Sequence, residues 1–205
     1  TDANIEYAIP NFVTKIEKHF SNGGGFYYWN SIRYFLYEYE TSLAQTHNID
    51  RIGSWEMFTK TEKDKVSIEH ILPQTPSKYY WQNQYRQFTD EEVEMLAGAL
   101  GNLLPLSQSV NSSLHNDSFY DKKTTKAGRR GYENGCHSEI EVAKYNDWTA
   151  ENIYTRSKEL LEFMENRWEF SFNNEQLDKL VYVNFAVDGR TVPEELPVPE
   201  EKPIQ

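Results

Sequence analysis

The sequence predicts a mostly α-helical fold that contains one small β-β-α unit. In several long segments apolar residues recur at spacings of three and four, which is the period of an amphipathic helix. Between two of these segments lie the short apolar stretches SIEHILP and GNLLPLS, whose length and composition are typical of strands. The stretch SQSVNSSLHN follows the second of them and favours a short helix. The order strand, strand, helix is therefore expected, with an insertion between the strands.

Four longer helices are predicted around this unit. The first covers IPNFVTKIEKHF, and the glycines of SNGGGF end it because glycine disfavours a helix interior. The second covers YYWNSIRYFLYEYETSLA, whose aromatic residues are expected to pack in the core rather than stack on bases. The third begins with a capping box between Thr89 and Glu92, and Gly101 can end it. The fourth follows Thr149 as its N-cap. SWEMFTK is a further segment that favours a strand.

The composition indicates a folded protein. Of its 205 residues 38% are hydrophobic and 15% aromatic, which is too rich for a disordered chain. No apolar run approaches the roughly 20 residues that span a bilayer, and TDANIEYAIP lacks the pattern of a secretory signal, so a cytoplasmic protein is expected. The first residue is Thr rather than Met, which suggests a domain of a longer protein. We predict one main domain over residues 1–170 and an extension over residues 171–205 with an acidic, proline-rich, solvated tail.

Charge and cysteine content limit the functional classes. A net charge of -11 argues against indiscriminate binding to nucleic acid, which depends on Lys and Arg. The segment KKTTKAGRR is a local exception, and it is either a solvated charge run or a phosphate-binding surface. Its candidate nucleic-acid-binding residues are Lys122, Lys123, Lys126, Arg129 and Arg130. The single cysteine, Cys136, excludes a disulfide framework and a zinc site made of CxxC pairs, and its thiol is expected to be incidental.

The β-β-α unit can bring four polar residues together, namely Glu69 and His70 from the first strand, Asn102 before the second, and Asn111 on the helix. Histidine is a suitable general base near neutral pH, and Glu and Asn supply the oxygen ligands that suit Mg²⁺ or Mn²⁺. Adjacent strand residues point to opposite faces, so Glu69 and His70 share a site only if the backbone turns, which Pro73 permits. The pattern therefore predicts hydrolysis of a phosphodiester, although a plain edge strand would also carry such residues.

These residues resemble a known family. EHILP is similar to the acid-His-aliphatic-x-Pro box of the HNH, or ββα-metal, nucleases, and GNLLPLSQSVN resembles the segment that completes that motif. Over residues 10–170 the chain is similar to the C-terminal nuclease domain of GmrSD-type modification-dependent restriction enzymes and related phage-defence nickases.

The resemblance implies a metal-dependent DNA endonuclease in a prokaryotic restriction-modification or phage-defence system. It implies that His70 is the general base, that Glu69 and Asn111 bind Mg²⁺ or Mn²⁺, and that Asn102 holds the His-bearing loop. The catalytic set is thus His70, Asn102 and Asn111. It also implies DNA as the partner, together with an N-terminal nucleotide-dependent regulatory domain of the full-length protein. This sequence lacks that domain and the zinc-binding Cys pairs of some HNH enzymes.

The sequence is also compatible with other functions. The chain could be a non-catalytic module that keeps the fold and binds nucleic acid or protein, which the net charge favours. An RNase is a weaker interpretation, because the chemistry does not exclude ribose. His115, four residues after Asn111, is either an additional ligand or an exposed polar residue. His19, His47 and His137 are expected to be structural or surface residues.

Overall fold

The computed structural model describes residues 2–47 and 66–199 of the chain. It has the predicted class, a mostly α fold with one small antiparallel sheet of two strands. The segment SWEMFTK and residues 200–205 of the acidic tail lie outside the described residues. The elements are α1 (Asp2–Ser21), α2 (Ile32–His47), β1 (Val66–His70), α3 (Tyr79–Gln84), α4 (Asp90–Gly98), β2 (Leu103–Ser107), α5 (Gln108–Leu114), α6 (Phe119–Lys123), α7 (His137–Ala143), α8 (Ala150–Trp168) and α9 (Asn174–Val181). In the described ranges no helix has the length and apolar character that a membrane span needs.

A tight glycine turn separates the first two helices. Residues Gly25–Tyr28 form a single 3-10 turn, and α2 begins only at Ile32. The prediction that the second helix starts at Tyr27 is therefore wrong. Gly25 has a φ of +48°, and a Cβ there would lie 2.4 Å from the carbonyl oxygen of Gly98. The chain turns tightly against the end of α4 at this point, which a continuous helix could not do.

The two strands pair antiparallel across a long connection that contains α3 and α4. The register places Val66 opposite Ser107 and His70 opposite Leu103. Helix α5 follows β2 directly and packs on both strands, which completes the predicted β-β-α order. His70 is consequently the last residue of β1, where the backbone leaves the sheet.

The capping box of α4 is confirmed. The Thr89 hydroxyl accepts a hydrogen bond from the backbone N–H of Glu92, and the Glu92 carboxylate accepts one from the N–H of Thr89. The helix ends at Gly98 and not at Gly101 as predicted. Gly101 instead permits a close approach between two segments, because a Cβ there would lie 2.2 Å from the carbonyl oxygen of Ile153 on α8. The chain that enters β2 therefore packs directly against α8.

Helix α8 forms the long wall of the core. Thr149 caps its N-terminus as predicted, with its hydroxyl accepting from the N–H of Asn152. Its apolar face is buried, namely Ile153, Leu160, Leu161 and Met164. The same core includes Phe172 and Leu180 of the C-terminal extension, because α9 packs on α1.

The proline-rich tail is exposed but follows the surface of the connection between the strands. Arg190 forms a salt bridge with Glu92 at the start of α4. Further along, the N–H of Leu196 donates to Asn83, and the Leu196 carbonyl accepts from the hydroxyl of Tyr79 on α3. The tail was predicted to be solvated, and these contacts hold its described part beside α3 and α4.

Candidate functional site

His70 lies at the end of β1 with its imidazole almost enclosed. The residue is 9% exposed, and its Nε2 atom is buried without a hydrogen-bond partner in the described part of the chain. The ring of Tyr27 covers it at a centroid distance of 4.5 Å. Burial, together with the nearby charge of Lys122, lowers the pKa of His70 to about 3. The imidazole is therefore neutral at physiological pH and can accept a proton.

Asn102 fixes the turn that follows His70. Its Oδ1 accepts from the N–H of Leu72 at 2.8 Å and from the indole N–H of Trp148 at 3.0 Å. Its Nδ2 donates to the carbonyl oxygens of Leu72 at 2.9 Å and Ala97 at 3.0 Å. Asn102 is fully buried and uses its whole hydrogen-bonding capacity. The amide thus holds the His-bearing turn to the connection before β2.

The Glu69 side chain contacts Lys122 and Tyr132, whereas the His70 ring contacts Tyr27, as the alternation of side chains along a strand predicts. The Glu69 Oε1 accepts from the Lys122 ammonium at 2.6 Å and from the Tyr132 hydroxyl at 2.9 Å. Burial raises the pKa of Glu69 and lowers that of Lys122, while their mutual attraction opposes both shifts. The two side chains form an ion pair in the interior of the protein.

Lys122 is a buried residue that holds the turn after β1, and it does not belong to an exposed basic surface. Besides Glu69, its Nζ donates to the carbonyl oxygens of His70 at 2.9 Å and Ile71 at 3.1 Å. The three N–H groups of the ammonium have three acceptors. The predicted contact between Lys122 and nucleic acid is wrong, because the residue is fully buried. Sequence reasoning missed this role, since nothing in the local run KKTTK distinguishes Lys122 from its exposed neighbours.

Asn111 reaches β1 from helix α5. Its Nδ2 donates to the Ser67 hydroxyl at 2.8 Å and, more weakly, to the Ile68 carbonyl oxygen at 3.3 Å. This orientation leaves the Asn111 Oδ1 as an acceptor to which no group of the described residues donates. An oxygen atom placed in this way suits a hard cation or a water molecule.

The fit of these residues to a divalent metal ion is partial. No group of three or more His, Cys, Asp or Glu side chains could hold a metal within residues 2–47 and 66–199. Asn111 fits as an oxygen ligand, but the predicted anionic ligand, Glu69, is neutralised by Lys122 at 2.6 Å. A divalent cation next to this ammonium would be repelled. The predicted role of Glu69 as a ligand therefore conflicts with the arrangement seen here.

A cleft of about 780 Å³ opens beside the motif. Its lining includes Ser67 and Ile68 of β1 and Asn111 of α5. Tyr27 and Tyr28 of the glycine turn also line it. The cleft therefore extends from the helix asparagine to the ring that covers His70.

The remaining basic residues of the segment 122–130 are held by acids or carbonyls. Lys126 pairs with Asp121, Arg129 with Asp117, and Arg130 with Glu139. Lys123 donates to the carbonyl oxygen of Tyr145 at 2.8 Å. Three of these four basic side chains are thus paired with acids at partly exposed positions. DNA contact by Lys123, Lys126, Arg129 and Arg130 stays a prediction.

His115, its neighbour Asn116 and the single cysteine have clear positions. His115 lies just beyond α5 with a φ of +40° and is exposed. The Asn116 side chain accepts a hydrogen bond from the N–H of Ser77. Cys136 is buried, which raises the pKa of its thiol, so the expectation of an unreactive thiol agrees with its surroundings.

Comparison with known proteins gives one match. Residues 14–163 match the family described as the C-terminal domain of GmrSD restriction endonucleases, which is more than half of the 205 residues. No curated protein and no solved structure matches the chain.

Proposed function

The chain belongs to the family of GmrSD restriction endonuclease C-terminal domains, and on this premise we propose that it is an HNH-type endonuclease acting on DNA. It would be the nuclease half of a prokaryotic restriction or phage-defence enzyme, controlled by an N-terminal nucleotide-dependent domain. The family match supports a nuclease domain of a restriction enzyme. The HNH mechanism, the metal and the control by another domain are our proposals.

The observation that carries the proposal is the unpaired Nε2 of His70. A buried polar atom without a partner costs about 1–3 kcal/mol, and a bound water or substrate group at His70 Nε2 would remove that cost. Two separate sets of hydrogen bonds hold the turn that carries His70. The Asn102 amide bonds to the backbone of Leu72, and the Lys122 ammonium donates to the carbonyl oxygens of His70 and Ile71. Holding a base this firmly is the arrangement that catalysis requires.

In the proposed reaction the Nε2 of His70 accepts a proton from a water molecule as the water oxygen attacks phosphorus. The bond from phosphorus to the leaving oxygen breaks, and that oxygen takes a proton from solvent. The low pKa keeps His70 neutral before the reaction. A phosphate that enters the site brings negative charge, which stabilises the imidazolium and raises the pKa toward the range where general-base catalysis is efficient.

We propose a divalent ion, Mg²⁺ or Mn²⁺, as the cofactor. When bound, it would stabilise the negative charge of the phosphate. Asn111 is the residue best placed to hold it, through Oδ1. Glu69 can become a ligand only if its contact with Lys122 is released.

A second candidate function is a non-catalytic module that keeps the HNH fold and binds nucleic acid or protein. The ion pair between Glu69 and Lys122 favours it, because that pair occupies the only carboxylate among the predicted site residues. The two candidates differ in a direct way: only the nuclease depends on His70 for strand breakage.

The deciding experiment is nicking of supercoiled plasmid with Mg²⁺, Mn²⁺ or EDTA. His70→Ala should lower the rate by about 10²-fold to 10⁴-fold, the usual effect of a positioned general base, while DNA binding persists. His47→Ala is the matched control, since His47 is exposed at the end of α2. Equal cleavage by His70→Ala would refute the catalytic role, and RNA of the same sequence as a second substrate tests the RNase interpretation.

A further inference from the structure

Two exposed tyrosines form part of the cleft next to His70. Tyr27 is 39% exposed and Tyr28 is 47% exposed, although both belong to a segment that otherwise contributes to the core. Their ring centroids are 6.1 Å apart, and the Tyr27 ring contacts His70. The core therefore does not account for these two rings, which are available to something that enters the cleft.

The backbone below these rings is built tightly. A Cβ on Gly24 would lie 2.2 Å from the ring of Tyr28, so only glycine lets that ring lie against the turn. Phe26, between the glycines and the tyrosines, is fully buried and anchors the turn. Tyr28 is also in edge contact with the ring of His19 at 6.2 Å. The rings are thus held in place before any ligand arrives, which lowers the entropic cost of stacking on them.

The charge around the cleft suits an anion. None of the described residues that line the cleft is Asp or Glu, in a chain whose net charge is -11. Arg33 and His19 belong to the lining. Lys15 precedes His19 by one turn of α1 and Lys18 directly precedes it, so the helix that supplies this wall carries two lysines. Burial lowers the pKa of His19, and the charges of both lysines lower it further. Neither lysine makes an ion pair within the described ranges.

We propose that Tyr27 and Tyr28 form a stacking site for one unpaired nucleobase of the DNA strand that is cleaved at His70. Lys15 and Lys18, on the helix that supplies His19 to the cleft, are the cations that we assign to the neighbouring phosphates. This inference rests on the proposed nuclease function and adds a substrate preference to it. Aromatic rings bind the faces of bases with little sequence preference, but these faces are covered in an intact duplex. The base must therefore be single-stranded, bulged or turned out of the helix.

The test uses short DNA that carries the fluorescent base 2-aminopurine, whose emission falls when it stacks on an aromatic ring. Three forms are compared: single strand, complete duplex, and duplex with the base in a bulge. Wild type should bind and quench the single strand and the bulge better than the duplex. Tyr28→Ala should weaken binding of both by about 5-fold to 150-fold, the effect of losing one base-stacking contact.

Two variants serve as controls. Tyr28→Phe keeps the ring and should behave like wild type, which separates stacking from loss of the hydroxyl group. Tyr120→Ala removes a tyrosine that is 64% exposed outside the cleft lining and should change nothing. Thermal melting of Tyr28→Ala confirms that it folds, and Tyr28→Leu provides a second variant that keeps apolar bulk but lacks a ring.

The outcomes separate this inference from the proposed function. If Tyr28→Ala and Tyr28→Leu quench and bind like wild type while His70-dependent nicking persists, the stacking site is wrong and the nuclease stands. If complete duplex binds as tightly as the bulge, the requirement for an unpaired base is wrong. If binding depends on Tyr28 but nicking does not depend on His70, the stacking site stands and the proposed function fails.

Discussion

Lys122 Nζ lies 2.6 Å from Glu69 Oε1, and both side chains are buried. The pair joins helix α6 to the strand that carries His70, because the same ammonium also binds the carbonyl oxygens of His70 and Ile71. A lysine that looks like one of several surface charges in the sequence is therefore a positioning residue for the candidate base.

Replacing Lys122 with methionine should destabilise the protein by about 3–5 kcal/mol. The substitution leaves the Glu69 carboxylate buried without its cation, and breaking a buried pair from one side has costs of this size. Urea unfolding followed by tryptophan fluorescence measures the change. The double variant Glu69→Gln/Lys122→Met should recover part of the loss, since it removes both charges. A double variant that is as unstable as the sum of the two single variants would show that the pair is not coupled.

Replacing Asn102 with alanine should lower the free energy of unfolding by more than about 3 kcal/mol. Four buried groups would lose their partner, the N–H and carbonyl of Leu72, the Ala97 carbonyl and the Trp148 indole, at about 1–3 kcal/mol for each group that stays unsatisfied. Chemical denaturation measures this loss. Asn174→Ala, at an exposed position of α9, should stay within about 0.5 kcal/mol of wild type. If Asn102→Ala were as stable as wild type, water would have replaced the hydrogen bonds of the amide.

The metal proposal predicts a specific defect for Asn111→Ala. Cleavage should require Mg²⁺ or Mn²⁺ and disappear in EDTA. In the variant the Mn²⁺ concentration that gives half-maximal rate should rise by about 10-fold or more, and added Mn²⁺ should restore part of the rate. Ser113→Ala, at an exposed position of the same helix, is the control. Undiminished cleavage in EDTA would remove the metal from the mechanism.

The charge distribution predicts where DNA lies. Lys15→Gln/Lys18→Gln should reduce the slope of log K against log salt concentration by about 1.5, because each phosphate contact contributes roughly 0.7–0.9. Lys123→Gln/Lys126→Gln should change the slope less, since the Lys123 ammonium already donates to the Tyr145 carbonyl and the Lys126 ammonium already pairs with Asp121.

Filter binding at several salt concentrations distinguishes the two surfaces. Lys158→Gln/Lys179→Gln is the control for the change in net charge. It removes the same two positive charges from helices α8 and α9, outside the cleft lining. If the Lys123 and Lys126 variant reduced the salt slope more than the Lys15 and Lys18 variant did, DNA would bind along the segment 122–130 instead.

Asp117 should make stability depend on acid pH. Burial opposes ionisation, but hydrogen bonds from Arg129 and Lys78 outweigh it and lower the pKa of the Asp117 carboxyl. A carboxyl whose pKa is lower in the folded state contributes stability above its unfolded pKa of about 3.9. That contribution is lost as pH falls through the lower folded pKa.

Asp117→Asn should therefore lower the free energy of unfolding by about 1 kcal/mol at pH 7, which is the size of effect expected from two partly exposed ion pairs. The melting temperature of wild type should fall more steeply than that of the variant below about pH 4. Thermal melts at a series of pH values test this, with Asp188→Asn at an exposed position as the control. Parallel curves for wild type and Asp117→Asn would show that these pairs do not form in solution.

Local patterns in the sequence determined much of the architecture and the identity of the candidate site. The caps at Thr89 and Thr149 depend on atoms three residues apart, so they could be predicted and were confirmed. The β-β-α order follows from segment length and hydrophobic periodicity in the same way. The spacing of His70, Asn102 and Asn111 within that order identified the family, which the match to residues 14–163 confirms.

Only the tertiary structure decided the partners of these residues. Glu69 and Lys122 are 53 residues apart, and a sequence that predicts a metal ligand and a surface lysine contains no local sign that they pair. Tyr27 reaches His70 only because Gly25 turns the chain against the end of α4, which replaced the predicted helix with an exposed aromatic turn. Burial and charge pairing depend on which distant segments pack together. The chemistry of each side chain is therefore readable in the sequence, whereas its availability for catalysis depends on the fold.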